Sequence, residues 1–375
     1  MFISPTNPPF SPLTPLCPCP TDGRRAPLVM GELKGGKRGL SLLKGHKGKL
    51  FLRKAANGGL YFLFYLLRYG MCVLFLSITL IISSCEKKEE KVTGEKRLKV
   101  ITTLFPLYDF AKNIGKQKAD VTLLLPPGVE PHTFEPKPGD ILKIKDAGIF
   151  IYTGRLMEPW VEDIVKSFGS HRPLVVDSSK VIRLTGEEFK DGQKHDSDKV
   201  DPHIWLDFSR AQKMVVNILD GFLKKDLENK DFYLKNAEEY KTQLKELDKK
   251  YRESLASCKK DIIIHGGHFA FGYLAKRYNL KYFSAYKGFS PNAEPTPKNL
   301  IELSKKLKDN DLKYIFYEEL VNPKVSEVIA RETGAKLLLL HAAHNVTKEE
   351  LDRGVTFISL MEQNLKNLEI GLQCQ

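Results

Sequence analysis

The sequence predicts an α/β fold in which two lobes lie on either side of one long helix. In residues 96–228, and again in 258–375, short apolar runs of strand length alternate with longer runs of helical periodicity. That alternation is typical of a parallel sheet covered by helices. Between the two halves, residues 231–256 contain no Gly or Pro and repeat apolar side chains every three or four positions, which predicts a single helix about 39 Å long.

The elements follow in a regular order. In the first half, strands are predicted at 99–104, 120–125, 147–152 and 173–177, with helices at 108–114, 138–145, near 157–168 and from about Ser209. In the second half, strands are predicted at 261–264, 282–285, 314–317 and 337–340, with helices at 269–278, 296–308, 323–333 and from about Thr356. We therefore expect a first lobe over 96–228, a connecting helix over 229–257 and a second lobe over 258–375.

The positive charge of the chain is concentrated in a leader, residues 1–85. The chain has 59 Lys+Arg and 46 Asp+Glu, and the leader holds 11 of the former and only 2 of the latter. The rest of the chain mixes Lys and Glu along helix-like faces, a pattern typical of solvated helix surfaces. A nucleic-acid partner, which needs a basic stripe, is therefore poorly supported.

The end of the leader has the pattern of a secretion signal. Residues 61–82 are almost entirely apolar and are followed by Ser83, Ser84 and Cys85, after which the chain becomes strongly polar. The position of Cys85 resembles a bacterial lipoprotein cleavage box, in which this cysteine carries the lipid. The alternative is a plain transmembrane anchor, because the stretch approaches the ~20 residues that span a bilayer. Both interpretations predict an exported, membrane-tethered protein.

Two cysteines, Cys258 and Cys374, lie outside the leader region. They are too few for a disulfide framework and are not spaced as a zinc ligand pair. In an oxidising compartment they could form one disulfide, and the sequence leaves this open.

Four histidines stand where a strand-like run gives way to a loop: His132, His203, His268 and His341. In open α/β sheets, ligands bind beyond the carboxyl ends of the strands, and three of the four lie there. His203 lies in a short proline-containing loop before a helix. If the fold gathers these loops at one cleft, the sequence predicts a metal site made mostly of nitrogen donors.

Four motifs carry a family resemblance. Residues 127–136, 201–207, 268–274 and 329–335 resemble, in the expected order, the metal-binding lipoproteins and periplasmic zinc-binding proteins of ABC importers for zinc and manganese. The resemblance covers 98–368. It implies two Rossmann-like α/β lobes joined by one rigid backbone helix, with the metal in the cleft between the lobes.

The resemblance also implies the ligands. It assigns His132, His203 and His268 as the first three, and the fourth place, often an aspartate in such proteins, is taken here by His341. We expect His341 to be the fourth ligand, with His344, Glu130 or a water as alternatives. A histidine at the third position favours Zn²⁺ over Mn²⁺, because imidazole suits zinc whereas carboxylate and water suit manganese.

Other polar residues receive lesser roles. Glu130, Glu318 and Asp207 could fix imidazole tautomers by accepting hydrogen bonds. His265 is predicted to be structural, whereas His171 and His195 are predicted to be exposed.

The predicted function is capture of Zn²⁺ outside the cytoplasmic membrane and its delivery to the permease of an ABC importer, by a monomer tethered through lipid on Cys85. A manganese-binding member of the same family is the first alternative. A zinc hydrolase is less favoured, because no His-Glu-x-x-His helix is present and the candidate ligands are scattered. A surface adhesin, a role found among relatives of this family, has no repeat or adhesive module to support it here.

Overall fold

The computed structural model describes residues 97–184, 200–286, 288–289 and 295–375. The leader with Cys85, and also His195, lie outside the described residues. Among the described residues, no helix combines the length and the hydropathy needed to cross a membrane.

The first lobe is a four-stranded parallel sheet with helices on its faces. Its strands lie side by side in the order β2-β1-β3-β4. The side chains of β3 are buried throughout, as expected for a strand covered on both faces. The elements in chain order are β1 (Leu98–Thr102), α1 (Phe105–Gly115), β2 (Ala119–Leu123), α2 (Pro138–Lys145), β3 (Ile149–Tyr152), α3 (Val161–Ser167), β4 (Leu174–Asp177) and α4 (Phe208–Lys225).

The second lobe repeats this topology after a single helix, α5 (Lys230–Ala256). Its parallel strands lie in the order β6-β5-β7-β8, which is the first lobe's order shifted by four. The predicted fold class is thereby confirmed. The elements are β5 (Ile262–His265), α6 (Gly272–Arg277), β6 (Lys281–Ser284), α7 (Pro297–Asp309), β7 (Tyr314–Tyr317), α8 (Lys324–Thr333), β8 (Lys336–Leu339), α9 (Lys348–Asp352) and α10 (Phe357–Gly371).

Helix α5 forms as the periodicity predicts and joins the two lobes through its buried side. It packs against α1 and α4 of the first lobe and against α10 of the second. The hydroxyl of Tyr240 donates to Asp109 of α1 at 2.7 Å, and that of Tyr251 donates to the carbonyl of Met361 in α10 at 2.5 Å. Leu234, which the apolar repeat includes, is 38% exposed, and the neighbouring Tyr233 is buried instead.

The two lobes share one apolar core, so they do not pack as independent bodies. A continuous cluster of buried side chains runs from β1 through α1, α4 and α5 to α10. Arg277, at the end of α6, adds a polar link: its guanidinium lies 2.6 Å from Asp248 of α5 and 2.9 Å from Asp207, which precedes α4. Displacement of one lobe against the other would break these contacts together.

A disulfide closes the second lobe. Cys258, just beyond the end of α5, is bonded to Cys374, next to the last residue of the chain. The bond joins positions 116 residues apart. In the chain-entropy account, a loop of that length restricts the unfolded chain strongly and so stabilises the folded one.

Replacement of both cysteines by serine should lower the free energy of unfolding by about 2–5 kcal/mol. Urea denaturation of the full chain measures this. A reducing agent should destabilise the wild type to a similar extent and leave the double serine variant unchanged. Equal urea midpoints for the wild type and the variant would contradict a stabilising disulfide.

Candidate metal centre

Four imidazoles meet between the lobes, and they belong to His132, His203, His268 and His344. The six distances between their ring centroids fall between 4.8 and 5.3 Å. Four points with nearly equal separations are the corners of a tetrahedron. The rings therefore surround one point.

The nitrogen atoms have the spacing that a tetrahedral ion requires. The Nε2 atom of His203 lies 3.4 Å from that of His132 and 3.4 Å from that of His268, and the four potential ligand atoms all lie within 4.8 Å of one another. Nitrogens bound to a tetrahedral zinc ion at ~2.0–2.1 Å are about 3.3–3.4 Å apart. The cluster could therefore hold such an ion with little rearrangement.

His132 is held by a short turn beyond the carboxyl end of β2. Residues Pro131–Thr133 form one turn of 3₁₀ helix, and the carboxylate of Glu130 caps this turn by accepting the Thr133 N–H at 3.1 Å. Glu130 was an alternative fourth ligand and a candidate tautomer-fixing acceptor, but here it stabilises the turn that presents His132. Of the four rings, His132 is the least buried, so the site approaches solvent on its side.

His203 is fully buried and is fixed by the residue two positions before it. Asp201 accepts the backbone N–H of His203 at 3.0 Å, and the same oxygen lies 2.7 Å from the Nδ1 atom of the ring. A proton on Nδ1 leaves the lone pair of Nε2 directed into the cluster, the arrangement found behind metal-binding histidines. Sequence reasoning missed Asp201, although its position two residues before a candidate ligand was a usable signal.

His268 is backed by Glu318, as the sequence analysis suggested. The Glu318 Oε2 atom lies 2.5 Å from Nδ1 of His268, and both side chains are buried. The carboxylate reaches this position past Gly267, where a Cβ atom would lie only 2.5 Å from Glu318 Cδ. Residue 267 therefore has to be a glycine, because any larger residue would collide with the Glu318 side chain.

The fourth imidazole of the cluster belongs to His344, whereas the sequence analysis expects His341 as the fourth ligand. The Nδ1 atom of His341 accepts the N–H of Ala343 at 2.9 Å, and its backbone is held by the Asn364 amide. Its ring is not among the four that meet. The prediction assumed that the ligand directly follows the last strand, but the chain first makes a turn, with Ala343 at φ 59°, and only then presents His344.

A second carboxylate after β7, Glu319, stands behind His344. Its Oε1 atom lies 3.4 Å from Nδ1 of His344 and 3.4 Å from Nδ1 of His341, and its Oε2 accepts the Ala342 N–H at 2.8 Å. Burial opposes ionisation of Glu319, but the two imidazoles and this N–H outweigh burial and hold its pKa below the usual range. Sequence reasoning did not single out Glu319.

The remaining candidates lie outside the cluster. Asp207 accepts the Ser209 N–H at 2.9 Å and caps α4, so it fixes no imidazole. His265 is fully buried, its Nδ1 lies 3.2 Å from the Tyr282 hydroxyl, and burial lowers its pKa to about 4, in keeping with a structural role. His171 is exposed on the first lobe, as predicted.

Two of the cluster histidines, His132 and His203, are kept neutral by their surroundings. Burial, reinforced by the neighbouring rings, lowers the pKa of His132 and of His203 well below 6.5. A metal ion needs the unprotonated imidazole, so at these two histidines no proton has to be displaced at neutral pH.

Comparison with known proteins identifies the family. The model of the family "Zinc-uptake complex component A periplasmic" matches residues 100–371. The chain belongs to this family. All four cluster histidines fall inside the matched region.

Individual members of the zinc-uptake component A family agree over most of the chain. The high-affinity zinc uptake system protein ZnuA of Bacillus subtilis is 39% identical over 306 residues, which cover 78% of this chain and 94% of that protein. The zinc-binding protein AdcA of Streptococcus pyogenes is 36% identical over 75% of this chain, but the match spans only 57% of its own length.

One similar crystal structure is that of the Zn(II)-bound ZnuA-like domain of AdcA from Streptococcus pneumoniae. It has a TM-score of 0.64 and 33% sequence identity, and the match covers 74% of this chain and 99% of that one. The two-lobe fold is therefore shared with a structure of the same family.

The buried state of His203 predicts a pH dependence of stability in the metal-free protein. The unfolded chain binds a proton at His203 below about pH 6.5, whereas the folded protein, with its lowered pKa, does not. The unfolded state therefore gains protons as the pH falls, and the contribution to stability lost between pH 7 and pH 5 is about 2 kcal/mol.

Three buried carboxyl groups act in the opposite direction, so the stability of the wild type has to be compared with that of a variant. Burial raises the pKa of Asp109 to about 6, that of Glu158 to about 7 and that of Asp201 well above its usual value. The contributions of Asp109 and Glu158 cancel when the wild type is compared with H203N at each pH, and the same comparison in the D201N background removes that of Asp201, which contacts His203. The unfolding free energy of the wild type relative to that of H203N should fall on acidification, and a constant difference would contradict a neutral buried His203.

The close approach at Gly267 gives a second prediction. G267A should displace the Glu318 carboxylate and weaken metal binding by roughly 10–100-fold, as loss of such a supporting group usually does. G139A, at a helical position with nothing within 4 Å, is the matched control and should bind normally. In the G267A background, E318Q should weaken metal binding little further. Fully additive losses of affinity would contradict the claim that G267A acts by displacing Glu318.

Proposed function

We propose that this protein captures Zn²⁺ outside the cytoplasmic membrane and delivers it to the permease of an ABC importer. The observation that carries the proposal is the set of four imidazoles at the corners of a tetrahedron, with Nε2 of His203 3.4 Å from Nε2 of His132 and of His268. Membership of the zinc-uptake component A family and the zinc named in its relatives support the same cargo.

The donor set favours zinc over manganese. Imidazole is a good ligand for zinc, which is usually four-coordinate in protein sites, whereas manganese prefers carboxylate and water in six-coordinate sites. The three carboxylates near the cluster, Asp201, Glu318 and Glu319, stand behind imidazoles rather than among the four candidate ligands. Acidic groups in such positions orient metal-binding imidazoles and supply no oxygen ligand.

The same arrangement favours transport over hydrolysis. A hydrolytic zinc site keeps one position open for a water that becomes the nucleophile. Four imidazoles would fill the coordination sphere of a tetrahedral ion. The proposed role is therefore to hold the ion and give it up intact.

Release has to work without wide opening of the lobes, since they share a core and the α5 helix. His132 and His203 come from the first lobe, and His268 comes from the second, so a small tilt imposed by the permease would separate ligands. His132 is the most accessible ligand and lies on a single turn of helix, which makes it the first to leave in this proposal.

The cellular location is proposed from the sequence alone. The apolar stretch at 61–82 and Cys85 after two serines fit export and lipid attachment at that cysteine. A tether of this kind would keep the captured ion close to a permease in the membrane.

Zinc titration of the metal-free full chain, in competition with a chromophoric chelator, tests the proposal. We expect one tightly bound Zn²⁺ per chain and no comparable binding of Mn²⁺. H132A, H203A, H268A and H344A should each weaken Zn²⁺ binding by at least about 100-fold, more than the loss of a supporting residue. H171A, which removes an exposed histidine of the first lobe outside the cluster, is the control and should bind like the wild type, and H341A should weaken binding less than H344A.

Two outcomes would overturn parts of the proposal. Loss of zinc affinity in H341A with normal affinity in H344A would contradict the assignment of the fourth ligand. Hydrolytic turnover that depends on these histidines would favour an enzyme. Delivery is tested by growth in zinc-depleted medium, where a strain whose only copy is H203A should require added zinc.

A further inference from the structure

We propose that Asn345 is a positioning residue that fastens the loop carrying His132 to the loop carrying His344, so that these two imidazoles are held as a unit. The His132 loop is defined here as residues 126–134 and the His344 loop as residues 340–347. The inference rests on the proposed function, because it assigns Asn345 a role in metal binding through His132.

Asn345 is fully buried, and both polar atoms of its side chain have hydrogen-bond partners. Its Nδ2 atom donates to the carbonyl of Pro126 at 2.7 Å and to that of Val129 at 2.9 Å, both in the His132 loop. Its Oδ1 atom accepts the N–H of Val346 at 2.9 Å, within the His344 loop. One short side chain thus bonds both loops. Asn345 directly follows His344 in the chain, and Val129, whose carbonyl it binds, lies three residues before His132.

Other bonds tie the His344 loop to the first lobe, although it emerges from the sheet of the second. The Gly128 N–H donates to the carbonyl of Val346 at 2.9 Å. The Phe105 N–H donates to the carbonyl of His344 at 3.2 Å, and the indole N–H of Trp205 donates to the carbonyl of Ala342 at 2.7 Å. The His344 loop is therefore held in place by several hydrogen bonds to the first lobe, and the His132 loop packs against it.

The His132 loop depends on the His344 loop because it has little regular structure of its own. Apart from the one turn at Pro131–Thr133, none of its residues belongs to a helix or a strand, and Val129 is 36% exposed. Both amide protons of Asn345 are needed to reach its two carbonyl groups. An aspartate would place a carboxylate oxygen against two carbonyl oxygens, and a serine would lack the second donor and the reach.

The chain contains a matched control for this side chain. Asn217 of α4 makes the same two-carbonyl contact, donating from Nδ2 to Ser178 and Lys180 at 2.9 Å each, among residues that do not belong to the histidine cluster. N345D and N217D therefore each remove two bonds to carbonyl groups, one pair at the cluster and the other away from it. Because Asn345 is fully buried and Asn217 only partly, the free energy of unfolding is measured for both variants, and a merely structural role would make loss of metal binding follow loss of stability.

The experiment uses the full chain loaded with Co²⁺ or Zn²⁺. Co²⁺ reports coordination directly, because a four-coordinate tetrahedral ion absorbs visible light far more strongly than a five- or six-coordinate one. In N345D the absorption should weaken towards that of H132A, and Zn²⁺ should dissociate to a chelator roughly 10–100-fold faster, as for loss of other groups that orient a ligand. N217D should match the wild type in both measurements.

A double variant separates an action through His132 from a general loss of folding. In the H132A background, N345D should change neither the Co²⁺ spectrum nor the Zn²⁺ dissociation rate further, because the ring that it positions is already absent. An equal additional loss would overturn the inference. If N345D fails to fold, N345S, which removes the bonds without adding a charge, takes its place in every comparison.

Different results would refute the proposed function and the role of Asn345. A wild type that binds neither Zn²⁺ nor Co²⁺ would refute the proposed function. A wild type that binds both ions, together with N345D and N345S variants that keep its spectrum and dissociation rate, would refute only the role of Asn345.

Discussion

Four imidazole nitrogens that aim their lone pairs at one point repel one another, and the whole molecule is arranged to hold them there. Burial keeps His132 and His203 unprotonated, and Asp201, Glu318 and Glu319 stand behind three of the four rings to fix their orientation. A divalent cation at the centre would convert this repulsion into four favourable bonds. The four imidazoles are therefore preorganised for a metal ion in the metal-free protein.

The packing between the two lobes keeps the four rings in place. Helix α5 contacts both lobes along its length, one apolar core crosses between them, and Arg277 ties α6 to α5 and to the start of α4. Nitrogen positions that must agree within a few tenths of an ångström are easier to maintain in such a body than across a flexible hinge.

The sequence predicted most of the fold because the fold follows local rules. Alternating strands and helices, and the Gly- and Pro-free repeat of α5, are patterns of neighbouring residues, and they predicted both sheets and the connecting helix. The fourth imidazole of the cluster could not be predicted in this way. Whether His341 or His344 faces the cluster depends on a turn at Ala343 and on the Asn364 amide, which lies 23 residues further along the chain. Glu319 was missed for the same reason, since only the folded chain brings it behind His344.

The placement of His344 also determines when the protein can begin to work. Its ring comes from the last tenth of the chain, and its loop is seated on residues as early as Phe105. A nascent or truncated polypeptide that ends before residue 344 can offer no more than three of the four nitrogens. The complete set of four nitrogens is therefore available only once nearly the whole chain is present.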